Sequence, residues 1–181
     1  MFAIAAMTGL RVGEVVGLQK QDLDFDRRVI NVRRSAWYGS VQTVKSKASA
    51  APVPLSDALA TLLKGYLEAW KPNPEGFLFV NRNGRLYSAK KVVEYGLWPA
   101  LDKLKLPRAG MHAFRHSHAS LLMDVGANPT VTRDQMRDSD SKVTLAYSHV
   151  IGTAQQDAVN KVGEVLRPSA PKSGTSGEYI Q

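Results

Sequence analysis

The hydrophobic period of this chain changes twice along its length, and those two changes limit the fold more than any other feature. The opening stretch Met1–Leu10 is apolar, breaks at Thr8-Gly9, and resumes as a stripe of Val12, Val15 and Val16 at helical spacing. Two short helices are predicted there, the second opened by Arg11. From Val29 the pattern becomes β-branched alternation: "VINVRR", a Tyr38-Gly39-Ser40 turn, "VQTVKSK" and "APVPL". This predicts a small antiparallel hairpin or three-stranded sheet. Ser56 and Asp57 are N-cap candidates for a return to helical period, with Leu59, Leu62, Leu63, Tyr66, Leu67 and Trp70 on one stripe ending before Pro72.

Beyond the "PNPEG" loop the reading is a short strand "FLFV", an Asn83-Gly84 turn, and a helix from near Ser88 carrying Val92, Val93, Leu97 and Leu101. Pro107 and Gly110 then punctuate the chain. The stripe Phe114, Leu121, Leu122, Val125 predicts a helix over Met111–Val125, with His112, Arg115 and His116 together on another face. Further helices are expected after Asn128-Pro129 and after Asp140. A last one, about Thr153–Leu166, has Ala158, Val159, Val162 and Leu166 on one side; packing within the chain and docking on a neighbouring subunit are both open for it. Strands gathered early and helices elsewhere make the fold class α+β, mostly helical with a minor antiparallel sheet.

A chain of 181 residues suits one domain with a real core. The domain is expected over 1–166, and the Pro-, Ser- and Gly-rich "RPSAPKSGTSGEYIQ" predicts a disordered tail over 167–181. Lys and Arg number 24 against 16 acidic residues, a net charge of +8 that suits a polyanionic partner such as DNA. With no Cys there are neither disulfides nor thiolate metal sites, which agrees with a reducing compartment; the cytoplasm is expected. Met1–Leu10 lacks the basic region of a signal peptide and runs straight into Arg11 and Glu14. No segment approaches the roughly 20 apolar residues of a membrane helix, so no membrane association is expected.

Two arginines stand in contexts suited to an anion. Arg11 follows the Thr8-Gly9-Leu10 break at a helix start, and Arg115 lies one turn after His112. A guanidinium fork holds two oxygens of a phosphodiester, so two forks from separate helices can clamp one phosphate. For a single arginine, pairing with a neighbour such as Glu14 at i,i+3 is the simpler explanation.

The order of the pieces is more specific. "TGLRVGEVVGL", "VKSKASAAPVPL", "HAFRH" and "TLAYSHV" resemble the signature of the tyrosine recombinase (phage integrase) family: an Arg box, a hairpin Lys, a His-x-x-Arg-His box and a terminal Tyr. The resemblance spans roughly Met1–Leu166. It implies a catalytic domain that cleaves and rejoins double-stranded DNA through a 3′-phosphotyrosyl bond, acting as a homo-tetramer in the full-length protein. By the same resemblance Arg11 and Arg115 bind the phosphate, His112 assists proton transfer, Glu14 is architectural and Tyr147 is the nucleophile. The general acid falls on Lys45 or on Lys47; an i,i+2 pair on a strand shares a face, so sidedness does not choose. No cofactor and no metal are implied, and neither a Walker loop nor a metal-ligand cluster is present in the sequence. A phenol of pKa about 10 needs fixed cations nearby to become a nucleophile, and the arginines are the groups suited to supply them.

Three departures bear on activity. Where the family usually has Gly-His or Gly-Trp before the Tyr, this chain has Arg137-Asp138. A carboxylate within about 4 Å of a bound phosphate is repelled by about 4 kcal/mol at an effective dielectric near 20, unless it is paired or turned away. Ala51 stands where the family often has an Arg, and the catalytic domain's first helix and N-terminal DNA-binding domain are missing from this sequence. The alternative to an active recombinase is therefore an impaired or truncated integrase remnant that only binds DNA; a structural or interaction protein is a third class.

Overall fold

The computed structural model of the chain describes residues 1–37, 39–43, 50–137 and 153–167. Two short helices open it, α1 (Phe2–Thr8) and α2 (Val12–Val16), joined through Gly9, whose φ of 69° closes α1 in the left-handed region. A glycine is needed there for a second reason. A Cβ on Gly9 would stand 3.0 Å from both His118 Cδ2 and Met136 Sδ, so the turn packs directly against two later helices.

A 3-10 turn over Lys20–Asp22 leads into five short strands among the described residues: β1 (Leu23–Asp24), β2 (Val29–Ile30), β3 (Arg34–Trp37), β4 (Ser40–Thr43) and β5 (Val53–Pro54). They form two sheets rather than one. A three-stranded antiparallel sheet has the order β1-β2-β5, with Leu23 opposite Ile30 and Ile30 opposite Val53; β3 and β4 form a separate hairpin with Ser35 opposite Gln42. The "VINVRR" run is split between the sheets, and the carboxylate of buried Asp22 holds the second half in place by accepting from Arg34 Nη1 at 2.6 Å. The turn and strand expectations at Tyr38 and over 44–49 lie outside the described residues.

The longer helices follow. α3 (Asp57–Glu68) starts at Ser56, whose Oγ accepts from Leu59 N–H, and buries Ala58, Leu59, Ala60 and Leu63. "FLFV" does not form a strand of its own, a correction to the sequence reading: Phe77 and Val80 make only isolated bridges, to Gln19 and Leu86. Side chains meet much of the backbone there, with Asn73 and Trp70 both donating to the Phe77 carbonyl, while Leu78 N–H donates to the Leu18 carbonyl. Ser88 caps α4 (Ala89–Val92), which runs through a π turn at Val93–Leu97 into α5 (Trp98–Lys103). Then come α6 (His112–Asp124), α7 (Pro129–Met136) with Asn128 as its cap, and α8 (Thr153–Val165). The helix expected after Asp140 and the predicted tail beyond residue 167 lie outside the described residues.

The molecule is α+β. Its main core joins α1, α2, the strands and α3 through Ile4, Val15, Ile30, Val53, Leu55 and Leu59; a smaller cluster joins α6 to α8 through Leu122, Ala158 and Val162. α8 packs within the chain, against α1, α3, α6 and α7. No helix among the described residues is long and apolar enough to cross a membrane.

Candidate phosphate site

The last carbonyls of a helix have no intrahelical partner, and in α1 they collect side chains from distant helices. Ala6 O lies 3.0 Å from His118 Nδ1, Thr8 O accepts from Gln135 Nε2 at 3.3 Å, and Gly9 O accepts from Arg115 Nη1 at 2.7 Å. All three donors are buried. α6 therefore turns Arg115, His118 and Leu122 inward, with His112 and His116 exposed. This corrects the sequence reading, which set Arg115 on a common face with both histidines: the guanidinium is drawn inward because buried carbonyls need its donors.

A closed circuit of contacts then joins residues far apart in sequence. Arg115 Nη2 donates to Met136 O, at the end of α7. The next residue, Arg137, caps α7 in the left-handed region at φ 51°, a conformation costing a non-glycine residue about 1 kcal/mol. Its side chain turns back into the protein, where Nη2 donates to Glu14 Oε2 at 2.6 Å. The same oxygen accepts the Arg11 N–H at 2.9 Å and so caps α2, while Glu14 Oε1 lies 3.5 Å from Arg11 Nη1. Arg11 stands two residues beyond Gly9, and the ring closes.

The i,i+3 pairing of Arg11 with Glu14 is thus present, at ion-pair rather than hydrogen-bond distance. Burial pushes the Arg137 guanidinium below its ordinary pKa; Glu14 opposes this, and the positive charges of Arg11 and Arg115 add to it. Among the described residues the Glu14 carboxylate pairs with the guanidiniums of Arg137 and Arg11, and Arg115 lies near enough for its charge to act on Arg137. Exposure grades across the ring: the Glu14 and Arg137 side chains are 4% and 2% exposed, that of Arg11 39%. Arg11 is the member that faces solvent.

Of the residues singled out from the sequence, Arg11, Glu14 and Arg115 meet in this ring, and His112 begins α6 one turn before Arg115. Lys45, Lys47, Asp138 and Tyr147 lie outside the described residues. The sequence reading treated Arg137 as part of a departure from the family pattern and missed its contact with Glu14; His118 and Gln135 were missed altogether. A glycine in the family pattern does signal a left-handed helix end at position 137, but not where an arginine side chain placed there will point. No group of His, Asp or Glu among the described residues is arranged to hold a metal ion.

The fold is a helix-rich α+β domain that brings Arg11, Arg115 and Arg137 together from distant parts of the chain. The chain belongs to the phage integrase family, whose sequence pattern matches residues 1–152. It is 23% identical over 180 residues to the integrase of Staphylococcus phage L54a, an alignment covering 90% of this chain and 51% of that protein. To the tyrosine recombinase XerD of Oceanobacillus iheyensis it is 29% identical over 169 residues, covering 87% of this chain and 51% of the other. Among solved structures, the Tn1549 transposon integrase in complex with circular intermediate DNA superposes with a TM-score of 0.66 at 25% identity, over 80% of this chain and 55% of that one. The XerA recombinase shares the fold, with a TM-score of 0.63 at 20% identity, over 93% of this chain and 57% of that one. The chain spans about half the length of the curated relatives it matches.

Proposed function

We propose that this chain is the catalytic part of a site-specific recombinase or integrase that cleaves and rejoins double-stranded DNA through a 3′-phosphotyrosyl intermediate. The observation that supports this most is the ring of contacts that gathers Arg11 and Arg115, 104 positions apart (115 minus 11), with Arg137 at the junction of α1 and α2. A pentacoordinate phosphorane carries one more negative charge than the diester from which it forms. Cations fixed in advance stabilise it without reorganisation.

In this reading the Tyr147 phenolic oxygen attacks phosphorus, the bond from phosphorus to the 5′-oxygen breaks, and the 5′-hydroxyl departs with a proton from Lys45 or Lys47. Arg11 holds a non-bridging oxygen, Arg115 contributes its charge and the N–H donors not given to Gly9 O and Met136 O, and His112 assists the proton leaving Tyr147. Rejoining reverses the step, with the phosphotyrosyl bond conserving the energy of the cleaved one. Neither metal nor cofactor takes part. The full-length protein works as a homo-tetramer on DNA in the cytoplasm.

A pool of nicked duplexes with randomised sequence around the nick tests this reading. After denaturation, a slowly migrating protein–DNA species should form with the chain and vanish with Tyr147→Phe. A species that survives Tyr147→Phe, or none with either the parent chain or Asp138→His, sinks the proposal. The substitution at Asp138 favours a second reading, a domain that occupies DNA without cutting it; a covalent species formed only by Asp138→His selects that one.

A further inference from the structure

Arg137 is not explained by the phosphate-holding roles of Arg11 and Arg115. It occupies a left-handed backbone position that glycine fills without strain, and its guanidinium is buried although its neighbours are also cationic. Both features are unfavourable in isolation, and backbone strain kept at a charged centre points to a role there. Its contact with Glu14 supplies the reason. A carboxylate buried to this degree requires a compensating cation, and two candidates reach it: Arg137 at 2.6 Å and the Arg11 guanidinium at 3.5 Å. The shorter contact belongs to the buried arginine.

We infer that Arg137 is a positioning residue: by neutralising Glu14 from the protein side, it prevents that carboxylate from drawing the Arg11 guanidinium inward, and so keeps Arg11 directed at a phosphate. Glu14 cannot simply be dispensed with, because its Oε2 also caps α2 through the Arg11 N–H. The arrangement separates two demands on one side chain. Glu14 fixes the backbone of Arg11, and Arg137 keeps Glu14 from capturing the side chain of Arg11. This rests on reading the ring as a phosphate site, but it concerns a contact inside the protein, so it can be tested without DNA cleavage.

Inorganic phosphate is the probe, with affinity measured by calorimetry and the Arg11 Nε–H resonance followed by NMR. Arg137→Gly suits the backbone conformation and removes only the cation. It should weaken phosphate binding about tenfold or more, and should shift the Arg11 resonance before any phosphate is added. Adding Glu14→Gln to Arg137→Gly removes the competing charge, and should bring both the affinity, to within about threefold of the parent, and the resonance back. Arg137→Lys, which keeps the charge, should bind more tightly than Arg137→Gly.

A merely structural Arg137 gives a different pattern: a lowered thermal midpoint in Arg137→Gly with the Arg11 resonance unmoved, or weak binding that Glu14→Gln does not recover. Either overturns the inference, as does parent-like phosphate affinity in Arg137→Gly. If the parent chain and Arg11→Ala fail alike to bind phosphate, the reading of the ring itself falls, and Arg137's proposed role with it.

Discussion

Ring nitrogens buried without partners are as informative as those that find them, and His118 has one of each. Its Nδ1 faces the Ala6 carbonyl, which can only accept, so Nδ1 carries the proton; Nε2 is buried with no partner among the described residues. Protonating Nε2 would place a cation in the core beside Arg115. Burial, with Arg115 adding to it and the Ala6 contact opposing, lowers the His118 pKa from 6.5 to about 4. Between those values the unfolded chain binds a proton that the folded chain does not. Stability is therefore complete above about pH 6.5, falls as the pH drops towards 4, and loses nothing further from this group below that. The loss across the window is roughly 3 kcal/mol. Urea unfolding at pH 7.5, 5.5 and 4.5 should show it, and subtracting the curve of His118→Leu isolates it from the titrating carboxylates. Parallel curves would mean that the ring takes up its proton in the fold as readily as in the unfolded chain. None of this was legible in the sequence, where His118 was one more histidine on a polar-looking helix. The motifs picked out Arg11 and Arg115, and the structure brings them into one ring of contacts. The inward turn of Arg115, His118 and Arg137 depends on carbonyls and a carboxylate 106 to 123 residues away, and no local pattern encodes that.

The elements themselves were easier to read than the contacts among them. Helices carrying long stripes, such as α3 and α8, follow from period 3.6, because each buries a whole face. The antiparallel strand region was legible too, but its division into two sheets was not, since strands of two residues such as β1 and β5 have no period to display and are fixed by pairing partners. The contact between α3 and α8 is similarly hidden. A Cβ on Gly163 would come within 2.7 Å of Ser56 Oγ and 2.9 Å of Ser56 Cβ, so α8 approaches the N-cap of α3 more closely than any side chain permits. Helix propensity alone predicts that Gly163→Ala stabilises α8 by about 1 kcal/mol. Packing predicts the reverse, because Ser56 is held by its bond to Leu59 N–H and cannot swing aside without uncapping α3. Overpacking of this kind costs about 1–3 kcal/mol, so destabilisation should win, and the larger Gly163→Val should suffer more. Chemical denaturation measures the sign directly. Limited proteolysis should also cut within α8 sooner in Gly163→Val, since Val159 and Val162 lose their cover. A stabilised Gly163→Ala would show that α8 sits further from α3 than described.

At the scale of the whole molecule, a net charge of +8 predicts attraction to any nucleic acid, but it does not say which cations meet phosphate. Salt dependence can, because each phosphate neutralised releases condensed counterions and adds about 0.9 to the slope of log K against log salt on duplex DNA. Within the ring, Arg11 is the exposed member, and Arg115 and Arg137 already donate to groups inside the protein. Removing Arg11 should therefore do more than weaken binding: Arg11→Ala should flatten the slope by about 1. Loss of a sequence-reading contact would leave the slope alone. Tyr147→Phe removes no charge, and should leave it as in the parent chain while abolishing the covalent species. Fluorescence anisotropy with a random-sequence duplex between about 50 and 200 mM salt covers the range in which such a difference is resolved. An unchanged slope in Arg11→Ala would mean that the guanidinium does not sit on a phosphate in the bound state. The ring of Arg11, Arg115 and Arg137 would then be an internal device of the fold rather than the place where DNA is held.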